Sequence, residues 1–133
     1  MVKKMEINFC DPNLLRHIER FSASRVEWLC NKILTEGVWI KPLALDLNHH
    51  LVLDGQHRME VALRLGLKRV PVVKFDYPEV PLRSLREKYQ FDWQDVTEKA
   101  LRNDIYPYKT VKHDFVSPMP ACRFTLQELG YDG

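Results

Sequence analysis

Apolar and polar residues recur with two different periods along this chain, and the changes of period divide it into elements. Residues 3–10, "KKMEINFC", have a period near two and read as a strand, closed by Asp11-Pro12. Residues 12–21, "PNLLRHIERF", suit a short helix or an ordered loop. From Ser22 the period becomes helical. Val26, Leu29, Cys30, Ile33 and Leu34 recur at helical spacing, which predicts a helix capped by Ser22 or Ser24 and ended by Gly37. Residues 42–47, "PLALDL", and 50–54, "HLVLD", read as two strands joined by a turn at Asn48, His49 and His50. Leu43, Leu45 and Leu47 alternate with Ala44 and Asp46, the pattern of a half-buried strand. A helix over 56–66, "QHRMEVALRLG", follows at once, with Met59, Ala62, Leu63 and Leu65 inward and Gly66 as its terminator. "KRVPVVKFD", residues 68–76, is another strand, whose Pro71 favours an edge or an early position.

The character changes at Tyr77. Two prolines and then residues 82–103 predict a linker followed by one or two helices. Residues 104–115 are loop-rich, and 125–133 read as a short terminal helix ending at Gly130. Strands interleave with helices up to residue 76, and helix and loop follow, so the expected class is α+β. We expect a single domain over 1–133, with a core at 1–76 and a helical and loop-rich part at 77–133.

Composition narrows the function classes. The chain has 133 residues, enough for one cored domain, and its 29% charged and 45% hydrophobic residues are ordinary globular values. A formal net charge of only +2 disfavours a broad nucleic-acid footprint. The densest basic stretch, Arg83, Arg86 and Lys88, reads as a solvated helix face. Cys10, Cys30 and Cys122 are widely spaced and form no CxxC, so neither a zinc knuckle nor a disulfide framework is suggested. No apolar run approaches membrane-spanning length, and a soluble cytoplasmic protein without a membrane partner is expected.

The candidate chemistry sits at residues 51–58, where an apolar strand stops at "DGQHR" and a helix begins. Such a junction offers free backbone N–H groups and the positive end of a helix dipole, a natural anion site. Gly55 permits a turn that other residues resist, and His57 and Arg58 add side-chain donors. An acidic residue here has two readings. Asp54 either holds Mg²⁺ that bridges to a phosphate or caps the helix that follows.

"LVLDGQHRMEVALRLGLKRVPV" resembles the nucleotide-binding segment of the ParB/sulfiredoxin superfamily. Sulfiredoxins carry Gly-Gly-Cys-His-Arg; Gln56 stands here at the Cys position, which disfavours sulfinic acid repair. Chromosome-partitioning ParB proteins carry a Gly-Glu-Arg-Arg type run and a helix-turn-helix domain that the residues beyond about 77 cannot supply. The segment is most similar to the free serine kinase branch, which reads Asp-Gly-His-His-Arg, and departs from it at Gln56. "IYPYKTVKHDF" resembles that branch's Pro-Pro-Lys-Thr-Ser-Arg-His-x-Phe segment, with Pro107, Lys109, Thr110, His113 and Phe115 matching and Lys112 replacing Arg.

The resemblance implies a ParB/sulfiredoxin-like mixed sheet with packed helices and a nucleotide site at the strand-to-helix turn. It implies transfer of a phosphoryl group from ATP or ADP to the hydroxyl of free L-serine or a similar small metabolite. Glu19 falls at the catalytic carboxylate, and Asp54 would organise Mg²⁺ or the attacking hydroxyl. Gly55, Gln56, His57 and Arg58 would hold nucleotide phosphates. Thr110, Lys112 and His113 would bind the amino acid's carboxylate, and Trp93 would line that site. Lys for Arg at 112 gives up bidentate recognition. Residues 77–133 would complete the acceptor site. The alternative is a nucleotide-binding ParB-like regulatory module, DNA-associated or not, without phosphoryl transfer, although nucleic acid is not the expected partner. The oligomeric state stays open at this stage.

Overall fold

The computed structural model describes residues 5–133. Lys3 and Lys4 of the expected first strand lie outside the described residues. Among the described residues, eight strands and three α-helices follow one another as β1 (Asn8–Cys10), α1 (Ala23–Glu36), β2 (Val38–Trp39), β3 (Leu43–Asp46), β4 (Val52–Asp54), α2 (Gln56–Leu65), β5 (Val70–Phe75), β6 (Leu82–Ser84), α3 (Trp93–Leu101), β7 (Val111–His113) and β8 (Phe124–Thr125). The class is α+β, as expected. The main sheet has the order β1-β5-β3-β4 and is mixed, since β5 and β3 run parallel and the outer pairs antiparallel. Two small sheets join distant segments, β2 with β8 and β6 with β7. Among the described residues, no helix is long and apolar enough to cross a membrane.

The main sheet is covered on both faces. Leu43, Leu45 and Val52 pack into one core with Val26, Leu29, Cys30 and Ile33 of α1 and Met59 and Ala62 of α2. Ala44, Leu51 and Leu53 point the other way, into a second core with Ile18, Val96 and Ala100 of α3, Tyr106 and Val111. Successive side chains of a strand face opposite sides, so covering both faces buries every residue of β3. This corrects the half-buried strand expected there: Leu43–Asp46 is buried throughout, and Leu47 lies beyond the strand, exposed. Asp46 is accommodated because its carboxylate accepts the N–H groups of Asn48, His49 and Leu51, the last at 2.7 Å, which builds the hairpin turn. Pro71 holds an early position in β5.

Helix ends follow local chemistry. Ser22 caps α1, its hydroxyl accepting from the Arg25 N–H, and Gly37 and Gly66 take the left-handed conformation that closes α1 and α2. Of the two readings of residues 12–21 the ordered loop holds, with a 3-10 turn at Pro12–Leu14 followed by extended backbone. Two expectations for the remaining segments are corrected. Helix over 82–103 is confined to Trp93–Leu101, started by a capping box between Asp92 and Asp95, while Leu82–Ser84 pairs with β7 instead. Residues 125–133 form no helix: Phe124 and Thr125 pair with Trp39 and Val38, and turns follow. In both cases pairing across a long sequence separation overrides local propensity.

The turn that positions the site is at Gly55. Its φ of +112° is a region that side chains resist, and a Cβ there would lie 2.5 Å from Cδ2 of Leu43, which is fully buried. Gly55→Ala should therefore destabilise the chain by about 2–4 kcal/mol, combining backbone strain with a clash in the core. Urea denaturation of the two proteins checks this.

Candidate active site

The strand β4 ends at Asp54, Gly55 turns the chain, and α2 starts at Gln56. Gly55 is the cap residue and makes no side-chain cap hydrogen bond. The first-turn N–H groups of Gln56, His57 and Arg58 have no protein acceptor among the described residues. They open into a cleft of about 730 Å³ that Glu19, Asp54, Gly55, His57, Arg58, Lys112 and His113 all line. The remaining walls bring in Arg25, Trp28, Lys32, Lys41, Tyr108 and Lys109. Six cationic side chains against two carboxylates give this cleft +4, where the whole chain carries +2. Positive charge is thus gathered in a concave wall, the arrangement that attracts a compact anion.

Glu19 reaches the cleft from extended backbone pinned on both sides. Arg16 pairs with the β4 side of the sheet, and Ile18 and Arg20 exchange backbone hydrogen bonds with Tyr106. Its Oε2 accepts the N–H groups of Thr110 at 3.0 Å and Val111 at 2.9 Å. These two donors converge because Lys109, just before them, sits at φ +55° and turns the backbone into an anion-holding concavity. Oε1 has no hydrogen-bond partner among the described residues. Burial pushes the Glu19 carboxyl above its ordinary range, the Val111 and Thr110 donors and Arg86 pull it down, and the Asp54 charge raises it again.

Asp54 is exposed, and among the described residues its carboxylate makes no hydrogen bond or ion pair and does not cap α2. The capping reading left open above is therefore removed. Arg58 is half-buried and likewise without an ion pair; burial draws its guanidinium down, and the Asp54 charge opposes this. His57 Nε2 accepts the Ser22 N–H at 3.1 Å, which fixes the neutral tautomer with its proton on Nδ1. Burial and the neighbouring Arg25 push its pKa down in the same sense.

Gln56 lies where the resemblance implies a phosphate ligand, but its side chain is directed into the protein. Its Oε1 stands 2.6 Å from His17 Nδ1 and receives the Ile18 N–H at 3.4 Å, while its Nε2 donates to the Val52 carbonyl. His17 Nε2 continues to Glu60 at 2.8 Å. Gln56 can thus offer the cleft its backbone N–H, and its amide clamps the start of α2 from behind. Thr110 is also turned inward, its hydroxyl donating to the Pro107 carbonyl at 2.7 Å, so that its N–H and not its hydroxyl meets Glu19. Trp93 does not line the cleft. It packs in the second core, 6.1 Å from the Tyr77 ring, and Tyr77 in turn meets His113.

His113 is 5% exposed and lines the cleft. Its Nε2 lies 2.9 Å from the Tyr77 hydroxyl, and its Nδ1 is buried without a hydrogen-bond partner. Burial pushes its pKa down to about 4, partly offset by the nearby Leu53 carbonyl and Asp54. Tyr77 had no sequence signal beyond an apolar position. Trp28 had one: an aromatic residue off the Val26, Leu29, Cys30 and Ile33 stripe of α1.

Two measurements test this reading. Gln56→Ala leaves His17, Ile18 and Val52 without their partner and should cost about 2–4 kcal/mol in urea denaturation. A depressed histidine pKa contributes stability that is present above the unfolded value and lost as pH falls. The loss between pH 7 and pH 4 should accordingly be roughly 3 kcal/mol larger for the native chain than for His113→Gln, as read from denaturation at the two pH values.

No family model matches the chain. An ATP-dependent L-serine kinase of Staphylothermus marinus is 34% identical over 80 residues, 57% of this chain and 32% of the relative. An ADP-dependent L-serine kinase of Thermococcus kodakarensis is 24% identical over 109 residues, 77% of this chain and 45% of the relative. The chain thus spans less than half the length of these curated relatives. In three dimensions, a glutamate-to-alanine variant of a free serine kinase in complex with AMP superposes with a TM-score of 0.87 at 14% identity, covering 96% of this chain and 95% of that one. Agreement over nearly the whole of both chains at so low an identity is agreement of fold, and the chain has the α+β fold of free serine kinase.

Proposed function

We propose that this chain is a small-molecule kinase that transfers a phosphoryl group from ATP or ADP to the hydroxyl of free L-serine or a similar metabolite. The observation that carries the reading is Glu19. One of its oxygens is held by two backbone N–H groups, and the other is free at the edge of a cationic cleft. A general base needs a fixed position, an open lone pair and a pKa raised towards the working pH, and Glu19 has each of these.

In the reaction, Glu19 Oε1 accepts the proton of the acceptor hydroxyl. The hydroxyl oxygen forms a bond to the terminal phosphorus, and the bond from that phosphorus to the bridging oxygen breaks, releasing ADP or AMP. The N–H groups at the start of α2, the Nδ1–H of His57 and the guanidinium of Arg58 bind the phosphates and orient them. Lys112 meets the carboxylate of the amino acid, and the buried, neutral His113, paired with Tyr77, forms the wall beneath it. In this reading residues 1–76 supply most of the nucleotide side and residues 77–133 the acceptor side, with Glu19 between them.

The relatives' ATP- and ADP-dependence, and AMP in a structural neighbour, support a nucleotide as the donor. Magnesium fits one part of the cleft. Among the described residues no cluster of three or more acidic, histidine or cysteine side chains could hold a metal by itself. Mg²⁺ at nucleotide sites needs only one or two carboxylates, completed by phosphates and water, and Asp54 is an unpaired carboxylate in the cleft. Asp54 would hold the ion, which neutralises charge on the transferring phosphoryl group when bound.

Incubation with Mg²⁺, serine and either nucleotide should yield O-phosphoserine by mass spectrometry; no product with either nucleotide across several hydroxy amino acids would overturn the reading. Glu19→Gln should lower kcat by about 10²–10⁴-fold while nucleotide affinity holds. Because the Glu19 pKa is raised, the native enzyme should lose rate as pH falls through a value above the usual glutamate range near ~4.3.

A further inference from the structure

Three tryptophans occur in the chain, and two of them are built into the cores. Trp39 is 1% exposed with its Nε1 donating to the Lys41 carbonyl, and Trp93 packs on Tyr77. Trp28 is different. It is 56% exposed, on the side of α1 that walls the cleft, and the proposed kinase chemistry uses none of it. A large aromatic ring left in water forgoes the burial that would otherwise favour it, and in a cleft this leaves a flat surface ready for an occupant.

The other aromatic rings in the cleft are already engaged. Tyr108 meets the His57 ring edge-on at 5.7 Å and carries Lys109 over its face at 5.4 Å. Phe115 packs on Phe75 at 4.8 Å. Among the described residues no other ring packs on Trp28, and over its ring lie two cations, Arg25 at 5.7 Å and Lys32 at 5.9 Å from the centroid, three residues before and four after it on the helix. Arg25 also lies close enough to His57 and Arg58 for its charge to act on both. A continuous path therefore runs from the flat ring of Trp28, past the guanidinium of Arg25, to the free N–H groups of α2.

We infer that Trp28 is the platform on which the base of the bound nucleotide stacks, with Arg25 beside the sugar-phosphate segment that joins base to α2. The assignment rests on the nucleotide reading of the cleft and deepens it. Stacking uses the face of a base and not its hydrogen-bonding edge, so it favours large rings. Purine nucleotides should bind better than pyrimidine ones, with little separation between ADP and GDP.

The test compares the native chain with Trp28→Ala and Trp28→Phe, titrating ADP and inorganic pyrophosphate by calorimetry. Pyrophosphate has the phosphate chemistry without a base. Loss of the platform should weaken ADP about 10-fold in Trp28→Ala, leave most affinity in Trp28→Phe, and leave pyrophosphate binding equal in all three. Tryptophan emission should be quenched by ADP in the native chain and unquenched in Trp28→Phe, a readout that holds even if Trp28→Ala folds poorly. ADP affinity in Trp28→Ala within 2-fold of the native value, or quenching that persists in Trp28→Phe, would overturn the platform and leave the nucleotide reading standing. A native chain that binds pyrophosphate but not ADP, or neither of them, would overturn both.

Discussion

The absence of a side chain at position 55 governs the geometry of the cleft. Leu43 fills the space that a Cβ at Gly55 would need, and Leu43 is itself held by both helices of the first core. The turn therefore cannot relax outward without opening that core, nor inward without a clash. It follows that α2 starts at one place and in one direction. Its unpaired N–H groups then face the cleft, with no capping side chain to occupy them. A capped helix would be more stable here by about 1 kcal/mol and would have no anion site. The fold gives up a local stabilisation at the position where the proposed phosphates would bind, as functional positions commonly do.

Two further networks hold this region from behind and from across. Gln56, His17 and Glu60 link the first turn of α2 to the extended segment that carries Glu19. Glu19 in turn binds the backbone of residues 110 and 111, more than ninety positions away in sequence. His113 and Tyr77 extend the connection into the second core. Gln56, Glu19 and His113 are thus held through the interior, whereas Asp54, Arg58 and Lys112 have no such link among the described residues. The interior-held part of the site keeps its geometry before a ligand arrives, and binding need not organise it.

Much of this was legible in the sequence where the information is local. Val26, Leu29, Cys30 and Ile33 of α1, Met59 and Ala62 of α2, the Gly37 and Gly66 terminators, the Asn48–His50 turn and the Asp54-Gly55 junction all rest on neighbours within a few residues. Leu34 and Leu63, expected in the same stripes, are exposed because each lies at the margin of its helix's buried face. What escaped was set by distant partners. Leu82–Ser84 could be recognised as a strand only with Val111–His113 in view, and Phe124–Thr125 only with Val38–Trp39. The same division holds within the site. "DGQHR" marked a site, but nothing in it shows that Gln56 turns inward to His17 while His57 and Arg58 line the cleft. Trp93 lay in a plausible segment and packs one layer behind His113. The cations at Arg25, Lys32 and Lys41 are ordinary surface residues until the fold brings them to one wall.

The two oxygens of Glu19 tie the two parts of the cleft to different stretches of the chain. The environment of this carboxylate exists only when Thr110 and Val111 are in place, since their N–H groups hold one oxygen and desolvation raises its pKa. The turn at Gly55, by contrast, is fixed by Leu43 and the first core. A disturbance confined to residues 110 and 111 would therefore make Glu19 an ordinary hydrated carboxylate while the start of α2 stayed as it is, so under the proposed function the base is the more easily lost half of the site.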